Sequence, residues 1–138
     1  IPFHLATTEF FREIKTHLSP GGVVAYNIIG SLDWPHSSLF RSLYRTIASN
    51  WRTVYVFPVS YLQNSQADLL RNIIVLATDR QSESDAVLSR IRSRLGGQAT
   101  IQGFEQMANE MYTKAIGTSD VSILTDNFAP VDALLHLR

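Results

Sequence analysis

An α/β layer fold is what this chain predicts, and three observations carry the prediction. Amphipathic helical stripes alternate with short runs of apolar and β-branched residues along its 138 residues, the pattern of helices layered on a sheet. The run Val23-Val24-Ala25-Tyr26-Asn27-Ile28-Ile29 is apolar at nearly every position, as expected of a strand covered on both faces. About a dozen residues without a helical stripe separate the two later strands. That is too little for a parallel crossover, so those strands are expected to form an antiparallel hairpin at the edge of an otherwise parallel sheet.

Each element follows from its local chemistry. Thr7 or Thr8 can cap a first helix, with Glu9 in its positive first turn, and Phe10, Phe11, Ile14 and Leu18 form its apolar stripe. Pro20, Gly21 and Gly22 stop that helix and lead into the first strand. After a loop over residues 30–36, Ser37 or Ser38 can cap a second helix, whose stripe is Leu39, Phe40, Leu43, Tyr44, Ile47 and Trp51. Residues 53–59 are β-branched and aromatic and end at Pro58, a strand followed by a polar loop over residues 60–70. Residues 72–78 read as a third buried strand. Ser82 and Asp85 resemble a capping box for a third helix with Val87, Leu88, Ile91 and Leu95 as its stripe, stopped by Gly96 and Gly97. Phe104, Met107 and Met111 suggest a fourth helix ending near Gly117. The chain closes on a turn through Asp126 and Asn127 and a short apolar end.

Composition excludes several functions. With 45% hydrophobic residues the chain can fill the core of one domain, or of part of one. Lys plus Arg and Asp plus Glu both number 12, so no basic stripe favours nucleic acid. Arg90, Arg92 and Arg94 alternate around a helix and read as its solvated surface. No apolar run approaches the ~20 residues of a membrane span, and no signal-peptide pattern opens the chain. The absence of cysteine fits a reducing, cytoplasmic setting. His4, His17, His36 and His136 lack metal-ligand spacing, so no metal is expected, and no G-x-S-x-G elbow occurs. The chain opens at Ile1 without an initiator Met, and three strands make a thin sheet, so it is expected to be a piece of a longer polypeptide.

Three stretches carry a resemblance: Ile1-Pro2-Phe3-His4-Leu5 leading to Thr8-Glu9-Phe10-Phe11, then Leu18-Ser19-Pro20-Gly21-Gly22-Val23, and finally Leu124-Thr125-Asp126-Asn127-Phe128-Ala129-Pro130-Val131-Asp132. Together they resemble the C-terminal half of spermidine synthase-like proteins, over nearly the whole chain. The closing segment is the most distinctive. The resemblance implies a class I methyltransferase-like Rossmann fold and transfer of an aminopropyl group from decarboxylated S-adenosylmethionine to a polyamine. It also implies that the glycine-rich turn and acidic residue holding the donor, and the aspartate activating the amine, belong to a preceding portion. No catalytic or cofactor-binding residue is therefore expected within the chain.

The substrate side is where this chain has candidates. The family's glutamine on the strand after the Gly-Gly turn corresponds to Asn27, and its pocket tyrosine between the last two strands corresponds to Tyr61. Read from the residues alone, Asn27 binds an amine or bonds the neighbouring backbone, and Tyr61 meets substrate or closes the core edge. Asp126 and Asp132 attract a polyamine or, respectively, shape a turn and start the last helix. Trp34 covers a pocket or packs on the second helix. Two other functions stay open: an S-adenosylmethionine-dependent methyltransferase, and a non-catalytic module whose exposed sheet edge pairs with a second copy.

Overall fold

The computed structural model describes residues 2–82, 84–95 and 109–134. A 3-10 turn at Phe3–Leu5 leads into α1 (Thr8–His17), β1 (Val23–Gly30), α2 (Ser38–Ala48), β2 (Thr53–Pro58), β3 (Arg71–Thr78), α3 (Ser84–Leu95) and a one-turn α4 (Val131–Leu134). Thr7 caps α1, its Oγ1 accepting from the Phe10 amide at 3.3 Å. Ser37 precedes α2 without a side-chain cap bond, and its hydroxyl accepts instead from Arg41 Nε at 3.1 Å. Residue 83, just before α3, lies outside the described residues, as do Gly96, Gly97, Phe104 and Met107.

The hairpin is as the loop length predicts: β2 and β3 pair antiparallel. The order across the sheet is β1-β3-β2, so β3 enters between two strands that run parallel to each other, and both pairings are antiparallel. Among the described residues β1 is paired on one side only. The fold is thus an α/β arrangement of three strands flanked by helices.

The two faces of the sheet differ. On one, Val24, Tyr26 and Ile28 of β1, Ile73, Val75 and Ala77 of β3, and Val54 and Val56 of β2 pack against the stripes of α1 and α2. Phe11 sits at the centre, fully buried, with its ring 5.4 Å from Tyr26 and 5.8 Å from Trp51. The closing segment locks into this layer: Leu124 N donates to the buried Thr46 Oγ1 at 2.9 Å, and Thr8 N donates to Leu124 O at 2.8 Å. On the other face Tyr55, Phe57 and Met111 gather with Ile74, Leu76, Val87 and Leu88, so α3 covers β2 and β3 alone. Val23 and Ile29 of β1 are 55% and 57% exposed there. The expectation that β1 is buried on both faces is corrected: its burial alternates with the period of two of a half-covered strand.

A second correction concerns Met111. The stretch from Met111 to Gly117 is not helical; Tyr112 N donates to Val56 O at 2.8 Å, an isolated antiparallel bridge on the outer edge of β2. Met111 enters the outer apolar cluster from that extended backbone, which meets the same demand for burial that a helical stripe would. None of the described helices is long and apolar enough to cross a membrane.

Candidate functional site

Because β1 and β2 run parallel with β3 between them, their carboxyl ends lie side by side, and ligands of open α/β sheets bind beyond such ends. Two loops emerge there, residues 31–37 after β1 and residues 59–70 after β2. They are joined directly: Leu32 N and Asp33 N both donate to Ala67 O, at 2.8 and 3.0 Å.

Tyr61 stands on the second loop, and its surroundings hold it from several sides. Ser60 adopts a positive φ of 61°, a strained conformation for a residue with a side chain, and its amide donates to Glu110 Oε2 at 2.9 Å. Glu110 is only 8% exposed. Arg71, the first residue of β3, donates from Nη1 to Val59 O at 3.4 Å and from Nη2 to Asn64 O at 3.1 Å and Gln66 O at 2.6 Å. Its guanidinium carbon lies 5.3 Å from the centre of the Tyr61 ring. On another side the Tyr112 ring meets Tyr61 edge to face, 5.7 Å between centres at 84°. A cation on a ring and an edge-to-face pair are each favourable, so the tyrosine is fixed before any ligand arrives. Burial first, then the nearby Tyr61 and Asp33, push the Tyr112 hydroxyl above the usual phenol range.

The other sequence candidates are placed elsewhere. Asn27 lies three residues before the end of β1, about 10 Å along the strand, on the face opposite α1 and α2. Its Nδ2 donates to Asn72 Oδ1 at 3.3 Å across the β1/β3 pair, and it is exposed. Asp126 occupies the tight turn closed by Thr125 N to Phe128 O at 3.0 Å and Phe128 N to Thr125 O at 2.9 Å. Its amide donates to Glu9 Oε2 at 3.0 Å. Among the described residues no hydrogen bond or ring contact joins Asn27 or Asp126 to Tyr61. Asp132 sits in the first turn of α4. Trp34 is 75% exposed, and its amide donates to Asp33 Oδ1 at 2.8 Å. Sequence reasoning left Glu110, Arg71 and Tyr112 unremarked. Arg71 carried a signal, as a charged residue at the entry of an apolar strand.

Three of the described glycines answer to close packing within the fold. Gly21, with φ of 72°, lies under the Arg80 guanidinium, where any side chain would collide. Gly22 packs on Leu18, and Gly30 admits Phe40 Cβ at 3.1 Å from where its own Cβ would stand. These three serve the fold, and Gly117 borders open space.

The architecture defines the class first: an α/β sheet portion of three strands with helices on its faces and two joined loops at the carboxyl ends of β1 and β2. Comparison with known proteins then gives the particular likeness. The chain is 26% identical over 139 aligned residues to a "Probable polyamine aminopropyl transferase" of Bifidobacterium longum (strain NCC 2705), covering 97% of this chain and 31% of that protein. Its fold matches a solved structure titled "Crystal structure of a probable spermidine synthase from Corynebacterium glutamicum ATCC 13032" with a TM-score of 0.52 at 19% identity, over 89% of this chain and 45% of that one. No family model matches. The chain is similar, over nearly its whole length, to a portion of spermidine synthase-like proteins, and it spans about a third to a half of the relatives it matches.

Proposed function

We propose that this chain supplies the amine-acceptor side of an aminopropyltransferase, the whole protein moving an aminopropyl group from decarboxylated S-adenosylmethionine to a polyamine. The observation that carries the reading is Tyr61: the tyrosine that the resemblance matches to the family's pocket position stands on the loop beyond β2, braced by Arg71 and Tyr112 and by the bond from the preceding Ser60 amide to Glu110. The likeness to an aminopropyl transferase supports it.

In this reading the chain's own residues bind and orient. A preformed aromatic wall stacks on the methylenes of an alkylamine and attracts its cationic end, and fixing the acceptor supplies much of the rate advantage of a displacement reaction. Donor chemistry, whether decarboxylated S-adenosylmethionine or S-adenosylmethionine, belongs to the portion of such proteins that this chain does not cover. Asp126 contributes long-range attraction for a polycation from its exposed turn. Asn27, whose Nδ2 is held by Asn72, has its Oδ1 to offer an amine, at a distance from the rim that carries Tyr61. The one-sided edge of β1 is where further strands of the whole protein, or a second copy, add to the sheet. A cytoplasmic setting rests on the cysteine-free composition.

The test is product analysis of the full-length protein with each donor and putrescine. Spermidine is expected, and Tyr61→Ala is expected to raise KM for the amine about tenfold, the loss of a cation–aromatic contact of roughly 1–2 kcal/mol. Donor binding without spermidine, accompanied by a methylated product, would replace this reading by the methyltransferase one.

A further inference from the structure

We infer that Tyr112 and Asp33 complete, together with Tyr61, a recognition group for a primary alkylammonium end. The inference rests on the amine-acceptor reading above and says how the acceptor is held. Three placements carry it. The paired bonds from Leu32 N and Asp33 N to Ala67 O fix the first loop against the second, so Asp33 belongs to the same rim as Tyr61. The bridge from Tyr112 N to Val56 O and the edge-to-face contact set Tyr112 as a second aromatic wall. Asp33 has no ion-pair partner among the described residues, and its carboxylate accepts one described bond, from Trp34 N at 2.8 Å.

The charge balance of this group selects its ligand. Arg71, the cation that touches Tyr61, is turned inward, its Nη groups donating to three backbone carbonyls and its face laid on the ring. Its buried Nε has no partner among the described residues but is closed off from solvent, so the accessible charge of the rim that carries the two rings is the exposed carboxylate of Asp33. An inorganic anion is repelled by that carboxylate, and a hard divalent cation asks for six or more oxygen ligands, which one carboxylate and two phenols do not supply. An ammonium head has three N–H donors for the carboxylate and phenol oxygens, and its methylene stem lies on the rings. A primary alkylammonium matches each part.

The test follows the tyrosine ring signals of the full-length protein, labelled with ¹³C-tyrosine and assigned with Tyr61→Phe and Tyr112→Phe, during titration with putrescine, n-butylamine and 1-butanol. Both rings are expected to shift saturably with the two amines and not with the alcohol. Asp33→Asn keeps an acceptor for the Trp34 amide while removing the charge, and is expected to raise Kd for putrescine about tenfold, the scale of a charge-assisted hydrogen bond. Tyr112→Leu is expected to raise it about threefold; should that variant fail to fold, Asp33→Asn and the ring shifts decide alone. Putrescine binding that moves Tyr61 but leaves Tyr112 still, or that is unchanged by Asp33→Asn, overturns the inference and leaves the amine-acceptor reading standing. No saturable response to putrescine overturns both.

Discussion

The two ends of the sheet are built to opposite ends of polar satisfaction. At the amino ends of β1 and β2, Lys15 Nζ donates to Asn50 O at 2.6 Å and pairs with Asp79 at 2.8 Å, while lying 5.9 Å from the Trp51 ring. Thr78 Oγ1 donates to Gly22 O, and Thr53 Oγ1 to Arg80 O, each at 2.9 Å. The Lys15 charge there meets the Asp79 carboxylate, and hydroxyls meet the carbonyls of the neighbouring turns. At the carboxyl ends the pattern is different: among the described residues an acid lacks a counterion, an indole stands in solvent, and two buried nitrogens, Arg71 Nε and His36 Nδ1, lack a partner. Buried polar atoms are normally satisfied. One end is closed by its own side chains, and the other keeps polar groups without a protein partner among the described residues.

Substitutions can break or sharpen that contrast. The largest effect is expected from Phe11→Ala in the layer that both ends share: truncating a fully buried phenylalanine costs about 3–5 kcal/mol, read as a lower midpoint in urea unfolding. Glu110→Ala comes next. It leaves the Ser60 amide without its acceptor at a site where a lost buried bond costs about 1–3 kcal/mol, and hydrogen exchange at Ser60 is expected to accelerate while Glu110→Gln largely preserves protection. Thr7→Ala removes the cap of α1 and is expected to cost about 1 kcal/mol in the same unfolding measurement.

The smallest effects belong to pH. Burial raises the Tyr26 hydroxyl to about 12, and it donates to Leu5 O at 3.0 Å. The folded state thus keeps a proton that the unfolded chain gives up near 10. This stabilisation is complete below about 10 and lost as pH rises toward about 12, so Tyr26→Phe should flatten the alkaline limb of the stability profile. At the closed end, the hydrogen bond from Lys15 holds the exposed Asp79 carboxyl below its ordinary range. Its contribution is present above that ordinary range and fades as pH falls through the depressed value. In Lys15→Met the Asp79 titration, followed by carboxyl NMR, should move back up.

Much of the architecture was legible because it is local. The stripe of Phe11 and Ile14 and the cap at Thr7 are written in consecutive residues, and the short loop before Arg71 forced the β2/β3 hairpin. The insertion of β3 between β1 and β2 was not legible, since pairing across dozens of residues leaves no mark in any one segment. The apolar run of β1 also misled. Val23 and Ile29 are as apolar as Ile28, yet α3 stops short of them, and composition does not say whether a neighbouring element covers a face. Tyr61 was visible as a candidate through family resemblance. Its supports were not, because Glu110 and Tyr112 reach it from about 50 residues away.

The most direct measurement is a map of backbone amide shifts in the full-length protein on titration with putrescine. The account predicts saturable changes concentrated at Asp33, Trp34 and residues 60–66, with Lys15, Asn50, Arg52 and Asp79 unmoved. Changes confined to Lys15, Asn50, Arg52 and Asp79 would contradict it.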